Sequence, residues 1–206
     1  MTRVFLASRN AKKLAELRRI LEDALPGVEV LGLDAVASYD EPAETEPTFA
    51  GNAVIKARAG REATRLVTIA DDSGLCVDEL NGMPGVLSAR WSGAAKDDAA
   101  NNSLLLAQLR DTPDERRGAE FRCAVALCMP DGHEEITQGV MRGRIITAER
   151  GAAGFGYDPI FVPDGQPDGQ QLTSAELKAE DKDAISHRGQ ALRALAPVLA
   201  RLLTSH

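Results

Sequence analysis

Short apolar runs alternate with helix-spaced apolar positions through the first part of the chain. Val4-Phe5-Leu6-Ala7 breaks at Ser8-Arg9-Asn10, after which Leu14, Leu17, Ile20 and Leu21 recur at helical spacing. Val28–Leu31 repeats the strand pattern, and a long polar stretch covers residues 32–47. Thr48 then opens a helical segment, TFAGNAVIKARAGREATR, with Phe49, Ala53, Lys56, Ala57 and Gly60 on one face. Val67, Ile69 and Ala70 read as a buried strand that stops at Asp71-Asp72-Ser73-Gly74, where glycine permits a sharp turn. Asp97 or Asp98 is placed to cap a helix reaching Arg110, with Leu104, Leu105 and Leu109 as its stripe. Residues 121–129 alternate, Pro130-Asp131-Gly132 reverses the chain, and residues 134–146 return as the second arm of a β-hairpin. Ile160-Phe161-Val162 forms a further apolar run, and Thr173-Ser174-Ala175-Glu176 matches a capping box expected to start a short helix. The last helix is expected from near Asp183, with Ile185, Leu192, Leu195, Leu199 and Leu202 inward and a kink at Pro197. β–α units followed by long antiparallel strands predict an α/β fold with a mixed β-sheet.

A chain of 206 residues with 44% hydrophobic content suits one domain, or two lobes sharing one sheet. The net charge of −7 argues against a protein that wraps nucleic acid, which needs a basic stripe. No run of about 18 apolar residues is available for a membrane span, and Met1-Thr2-Arg3 leads directly into a strand pattern, so a cytosolic protein is expected. Cys76, Cys123 and Cys128 are odd in number and lack a Cys-x-x-Cys spacing, which disfavours disulfides and structural zinc.

Candidate chemistry gathers in four polar segments. Asp71 and Asp72 fall on opposite faces if the strand persists through them, leaving one for a ligand and one for structure; a solvated acidic turn is the competing reading. Ser8-Arg9-Asn10-Ala11-Lys12-Lys13 leads into a helix N-terminus, where the two lysines oppose the dipole unless an anion such as phosphate lies nearby. Residues 151–159 form a glycine-rich loop in which Phe155 or Tyr157 offers a stacking face. Lys182 and Ser186-His187-Arg188 put cations and hydrogen-bond donors at a helix start, suited to an anion or a polar base edge. In the 32–47 loop, Asp34, Asp40, Glu41, Glu44 and Glu46 are candidate ligands for a hard cation such as Mg²⁺, or simply a solvated acidic face. Trp91 beside Arg90 serves either stacking or packing.

Four segments in register, Ser8-x-Asn10-x-x-Lys13, Ala70-Asp71-Asp72-Ser73-Gly74-Leu75, Gly154-Phe155-Gly156-Tyr157-Asp158-Pro159 and Lys182-x-x-Ile185-Ser186-His187-Arg188-Gly189, resemble the Ham1-like, or inosine triphosphate pyrophosphatase, family. The resemblance runs over nearly the whole chain, including residues 48–57 and 81–93. It implies a single two-lobed α/β domain over residues 1–206, with a long twisted mixed β-sheet, flanking helices and a nucleotide cleft between the lobes. It also implies a homodimer that hydrolyses ITP, dITP and XTP to the monophosphate and pyrophosphate with Mg²⁺. Carried over by position, Asp72 is the base and a metal ligand, Glu44 the second metal carboxylate with Glu41 as its competitor, and Ser73 a substrate contact. Ser8, Arg9, Asn10, Ala11, Lys12 and Lys13 bind the triphosphate, Phe155, Gly156, Tyr157 and Asp158 flank the base, and Lys182, His187 and Arg188 read its edge.

One departure is Gly51, where many bacterial members carry an acid before the Asn; this puts metal affinity in doubt more than the reaction class. The expected chemistry has an ionised Asp72 accepting a proton from water while Lys12 and Lys13 absorb charge on the leaving pyrophosphate, with an alkaline optimum. A Maf-like pyrophosphatase for pyrimidine or modified nucleotides is one alternative, against which the Ser-His-Arg-Gly segment speaks. A non-catalytic nucleotide sensor is the other, kept open by Gly51.

Overall fold

The computed structural model describes residues 2–93, 96–167 and 169–204, without the side chains of Ala11, Lys12, Asp23 and Ala24. The strands are β1 (Thr2–Leu6), β2 (Val28–Leu31), β3 (Val67–Val77), β4 (Gly118–Cys128), β5 (Glu134–Ile145) and β6 (Phe161–Pro163). The helices are α1 (Ala11–Ala24), α2 (Phe49–Thr64), α3 (Asp98–Gln108), α4 (Ala179–Ile185) and α5 (His187–Thr204). One six-stranded sheet runs in the order β2-β1-β3-β4-β5-β6. β1 pairs parallel with both β2 and β3, whereas β5 pairs antiparallel with β6, so the sheet is mixed as the pattern predicts. The 129–133 turn closes the β4–β5 hairpin: the Gly132 N–H donates to the Met129 carbonyl at 2.9 Å and the Met129 N–H to the His133 carbonyl at 2.8 Å.

The chain divides into two compact units, and β3, β4 and β5 each pass from one into the other. The first comprises residues 1–72, 123–139 and 188–206. On one sheet face, Val4, Leu6, Ile69, Val125 and Leu127 bury the stripe of α1 (Leu17, Leu21) and that of α5 (Leu192, Leu195, Leu199). On the other face the layer is made of small residues, with Ala70, Ala124 and Ala126 against Ala53 and Ala57 of α2. Gly60 belongs to this close approach, because a Cβ there would stand 2.8 Å from the Thr68 methyl and 2.9 Å from the Phe5 ring. The second unit, residues 73–122 and 140–187, has its own core of Leu75, Leu105, Leu109, Phe121, Ile145, Ile160 and Phe161. Beside it the buried Arg117 guanidinium donates to the carbonyls of Leu109, Thr112, Ile145 and Ile146, tying the segment after α3 to the end of β5.

Three local expectations are corrected. β3 does not stop at the acidic pair but continues through it to Val77, because both carboxylates meet cations and so tolerate burial in mid-strand. The Thr173-to-Glu176 box closes, with the Thr173 N–H donating to Glu176 Oε2 at 2.8 Å, yet it closes a turn instead of a helix. The next two N–H groups are committed elsewhere, Ser174 to the Phe161 carbonyl and Ala175 to the Asp158 carbonyl. Finally, the C-terminal helical segment is split: Ser186 adopts an extended ψ of 144°, ending α4 before α5 begins at His187.

Candidate active site

Alternation along β3 sends Asp71 and Asp72 to different helices. Asp72 lies on the α2 face, where Lys56 Nζ stands 3.0 Å from its Oδ1 and Asn52 Nδ2 donates to its Oδ2 at 3.3 Å. Asn52 and Lys56 are four residues apart on α2 and therefore share a face. Asn52 also clasps the acidic loop, accepting from the Glu46 N–H at 3.0 Å and donating to the Glu46 carbonyl at 3.2 Å. That clasp sets Glu44 beside the same lysine, with Glu44 Oε1 3.1 Å from Lys56 Nζ. Two carboxylates thus converge on one cationic position. Burial pushes the Asp72 pKa up, Lys56 opposes the rise and Glu44 adds to it.

The loop also separates Glu41 from Glu44. Glu41 is paired with Arg9 of the Ser8–Lys13 segment at 2.6 Å, while Glu44 sits with Lys56 and Asp72. Gly51 has its own counterpart: a Cβ there would lie 2.6 Å from Glu46 Cβ and 2.8 Å from Cγ, so the glycine makes room for the acid at position 46. Within the Ser8–Lys13 segment, Ser8 Oγ accepts from the Asn10 N–H at 3.2 Å, and Asn10 Oδ1 accepts from the Lys13 N–H at 3.4 Å, a cap on the α1 terminus. The expected roles of the Ala11 and Lys12 side chains lie outside the described residues.

Asp71 faces α1 and α5. Its Oδ2 lies 2.7 Å from Lys13 Nζ and 3.2 Å from Arg188 Nε, and Arg188 Nη1 reaches Glu16 Oε2 at 3.4 Å. Burial alone would raise the Asp71 pKa, but Lys13 and then Arg188 outweigh it and hold the carboxyl far below its ordinary range. Two cations assigned to substrate from the sequence are thus tied to Asp71. Cys123, also buried in this layer, has its thiol pushed far up by desolvation and is a packing residue.

In the second unit, Ser73 is the strand residue after Asp72 and is partly buried. The glycine-rich loop is folded around Asp158: its Oδ2 accepts from the Phe155 N–H at 2.9 Å and pairs with Lys182 Nζ. Gly154, at φ 82°, has no room for a side chain, because a Cβ would sit 2.1 Å from that oxygen. Phe155 remains 43% exposed, with Lys182 Nζ 5.5 Å from its ring centroid. Tyr157 is buried and donates its hydroxyl to the Ser88 carbonyl at 2.8 Å, which leaves Phe155 as the available stacking face. The His187 ring stacks on Phe121 at 5.0 Å and 12°. Trp91 is partly buried, and its Nε1 donates to Gln108 Oε1 at 2.9 Å. The residues that sequence reasoning missed are Asn52, Lys56 and Glu16; the one available signal was a lysine at position 56 on an otherwise apolar helix face.

The chain is similar to known proteins in both sequence and fold. A dITP/XTP pyrophosphatase of Nocardia farcinica is 62% identical over 203 residues, covering 98% of this chain and 97% of that protein. Among solved structures, a nucleoside-triphosphatase/dITP/XTP pyrophosphatase from Mycobacterium abscessus has 57% identity and a TM-score of 0.77, covering 95% of this chain and 100% of its own. A HAM1 protein from Coxiella burnetii has 41% identity and a TM-score of 0.85, covering 98% and 100%. The model of the Ham1 family matches residues 4–198, and with likeness of this extent in both sequence and fold the chain belongs to that family.

Proposed function

We propose that the protein hydrolyses the non-canonical purine nucleoside triphosphates dITP, ITP and XTP to the monophosphate and pyrophosphate, clearing them from the nucleotide pool. The observation that carries this reading is Asp72, a buried carboxylate with a raised pKa, held between Lys56 and Asn52 and facing Glu44, in a chain whose relatives are dITP/XTP pyrophosphatases. Water attacks the α-phosphorus, the α–β anhydride bond breaks, and Asp72 takes the proton the water loses. Burial makes Asp72 a stronger base than an exposed carboxylate, while Lys56 opposes the rise and fixes its orientation. The α1 N-terminus, with no acid in its first turn, is suited to the phosphates.

Glu44 and Asp72 would hold Mg²⁺: both already point at one cation, and Mg²⁺ is commonly held by one or two carboxylates together with substrate phosphates. When bound it would neutralise phosphate charge and polarise the phosphoryl oxygens. Purine choice falls to the second unit, where Phe155 supplies a ring face and Lys182 and His187 supply donors to a 6-oxo group. A 6-amino group leaves such donors unpaired, a penalty that reaches factors of about 10⁴. By the family resemblance, a cytosolic homodimer is the form we propose.

Released pyrophosphate is measured with ITP, XTP, ATP, GTP and TTP in Mg²⁺. We expect ITP and XTP to be preferred and Asp72→Asn to lose turnover by at least about 10³-fold. Preferred cleavage of TTP would establish the Maf-like reading instead, and tight ITP binding without product would establish a sensor.

A further inference from the structure

Helix α3 grips the loop that carries Phe155. Gly156 is in the left-handed region at φ 62°, and both of its backbone polar groups bond to α3 side chains. Its N–H donates to Asp98 Oδ2 at 2.7 Å, and its carbonyl accepts from Asn102 Nδ2 at 3.1 Å. Asp98 and Asn102 are four residues apart, so one helix face holds both ends of a single residue. The Asn102 side chain is buried, and its orientation is set by this contact: turned over, Oδ1 would face the Gly156 carbonyl. Among the described residues Oδ1 has no hydrogen-bond partner, so the described side-chain bonding of Asn102 is spent on Gly156.

The rest of α3 and the loop reinforce the grip. Neighbouring Asn101 accepts from the Ser92 N–H at 2.7 Å and donates to the Ala89 carbonyl at 3.3 Å, while Tyr157 reaches the Ser88 carbonyl. Ser88 Oγ in turn accepts from the Leu75 N–H at 2.9 Å, two residues beyond Ser73. Phe155 therefore sits between two fixed points, Asp158 on its own N–H and the α3 clamp on the following residue.

We propose that Asp98 and Asn102 are positioning residues for nucleobase selection. They hold Gly156 so that the Phe155 ring and the Asp158–Lys182 pair keep one arrangement. This rests on the reading of the 154–158 loop as the base-binding element. Releasing the clamp weakens base binding and discrimination and leaves the phosphoryl chemistry at Asp72 nearly intact, so the loss appears in KM and selectivity more than in kcat.

The test compares Asn102→Ala, Asp98→Ala and the conservative Asp98→Asn, which keeps an acceptor for the Gly156 N–H. Amide hydrogen exchange over residues 153–158 is read in the substrate-free protein, and kcat and KM are read for dITP and dATP. For Asn102→Ala we expect exchange in that segment about tenfold faster, KM for dITP about tenfold higher with kcat within about twofold, and the dITP:dATP ratio of kcat/KM about tenfold lower. Asp98→Ala, exposed at the helix start and able to fold if the buried variant cannot, should move all three the same way, and Asp98→Asn should restore them. Unchanged exchange, or unchanged KM and selectivity in variants that fold, overturns the inference. A wild type that turns over neither dITP nor XTP would remove the functional reading itself, an outcome distinct from normal wild-type turnover with unaltered variants.

Discussion

Adjacent carboxylates can have opposite fates when a strand alternates them between two sets of partners. Asp71 is neutralised by Lys13 and Arg188 and is held ionised by them, whereas Asp72 keeps one lysine and one amide and has its pKa raised by burial. The first arrangement is structural and the second retains basicity. Asp71→Asn would leave the buried Arg188 and the half-buried Lys13 without their shared counter-charge, and breaking a buried pair on one side costs about 3–5 kcal/mol. Denaturant unfolding should show that loss as a lower midpoint with an unchanged slope. A stability equal to wild type would mean that the cations find other partners. This division was legible in part: alternation set the two acids on different faces, but the identity of their cations depends on α1, α2 and α5, which are distant in sequence.

Elements with strong periodicity were readable, and elements decided by long-range partners were not. β2 and the β4–β5 hairpin fall where the apolar pattern puts them, because each carries its own alternation and turn residues. The extension of β3 through two acids could not be read locally, since its licence comes from Lys13, Lys56 and Arg188. The capping box was a true hydrogen bond that closes one turn only, with the Glu176 and Leu177 N–H groups both donating to the Thr173 carbonyl. Lys56 was legible as part of a helix face, but its role needed β3 to run past it. Ion pairs across the hairpin give the elements a testable pH dependence. Glu120 on β4 accepts from Arg142 of β5 at 2.9 Å and from Arg122, and Arg142 also reaches Asp78 at 3.1 Å. Burial alone would raise the Glu120 pKa, but these hydrogen bonds lower it below its ordinary 4.5. A carboxylate lowered by folding contributes stability above its unfolded pKa and loses it as pH falls through the folded one. The midpoint of unfolding should therefore drop as pH falls below the ordinary 4.5 of the carboxyl. Glu120→Gln should flatten that drop, and an equally steep drop in the variant would assign it to other groups.

At the scale of the molecule, the chemistry is divided between two units, each with its own core. One carries the proposed base, the candidate metal carboxylates and the α1 terminus; the other carries the aromatic loop and the donors proposed to read the purine. A net charge of −7 is compatible with binding a polyanion because the half-buried cations near Asp71 and Asp72 are clustered locally. Among the described residues no helix is long and apolar enough to cross a membrane, and all three cysteines are free and buried. The central claim is that water activated at Asp72 attacks the α-phosphorus of a 6-oxopurine triphosphate. Turnover of dITP in ¹⁸O-labelled water, with the products weighed by mass spectrometry, tests it most directly. The account predicts one heavy oxygen in the monophosphate and unlabelled pyrophosphate; labelled pyrophosphate, or release of orthophosphate and a diphosphate, would contradict it.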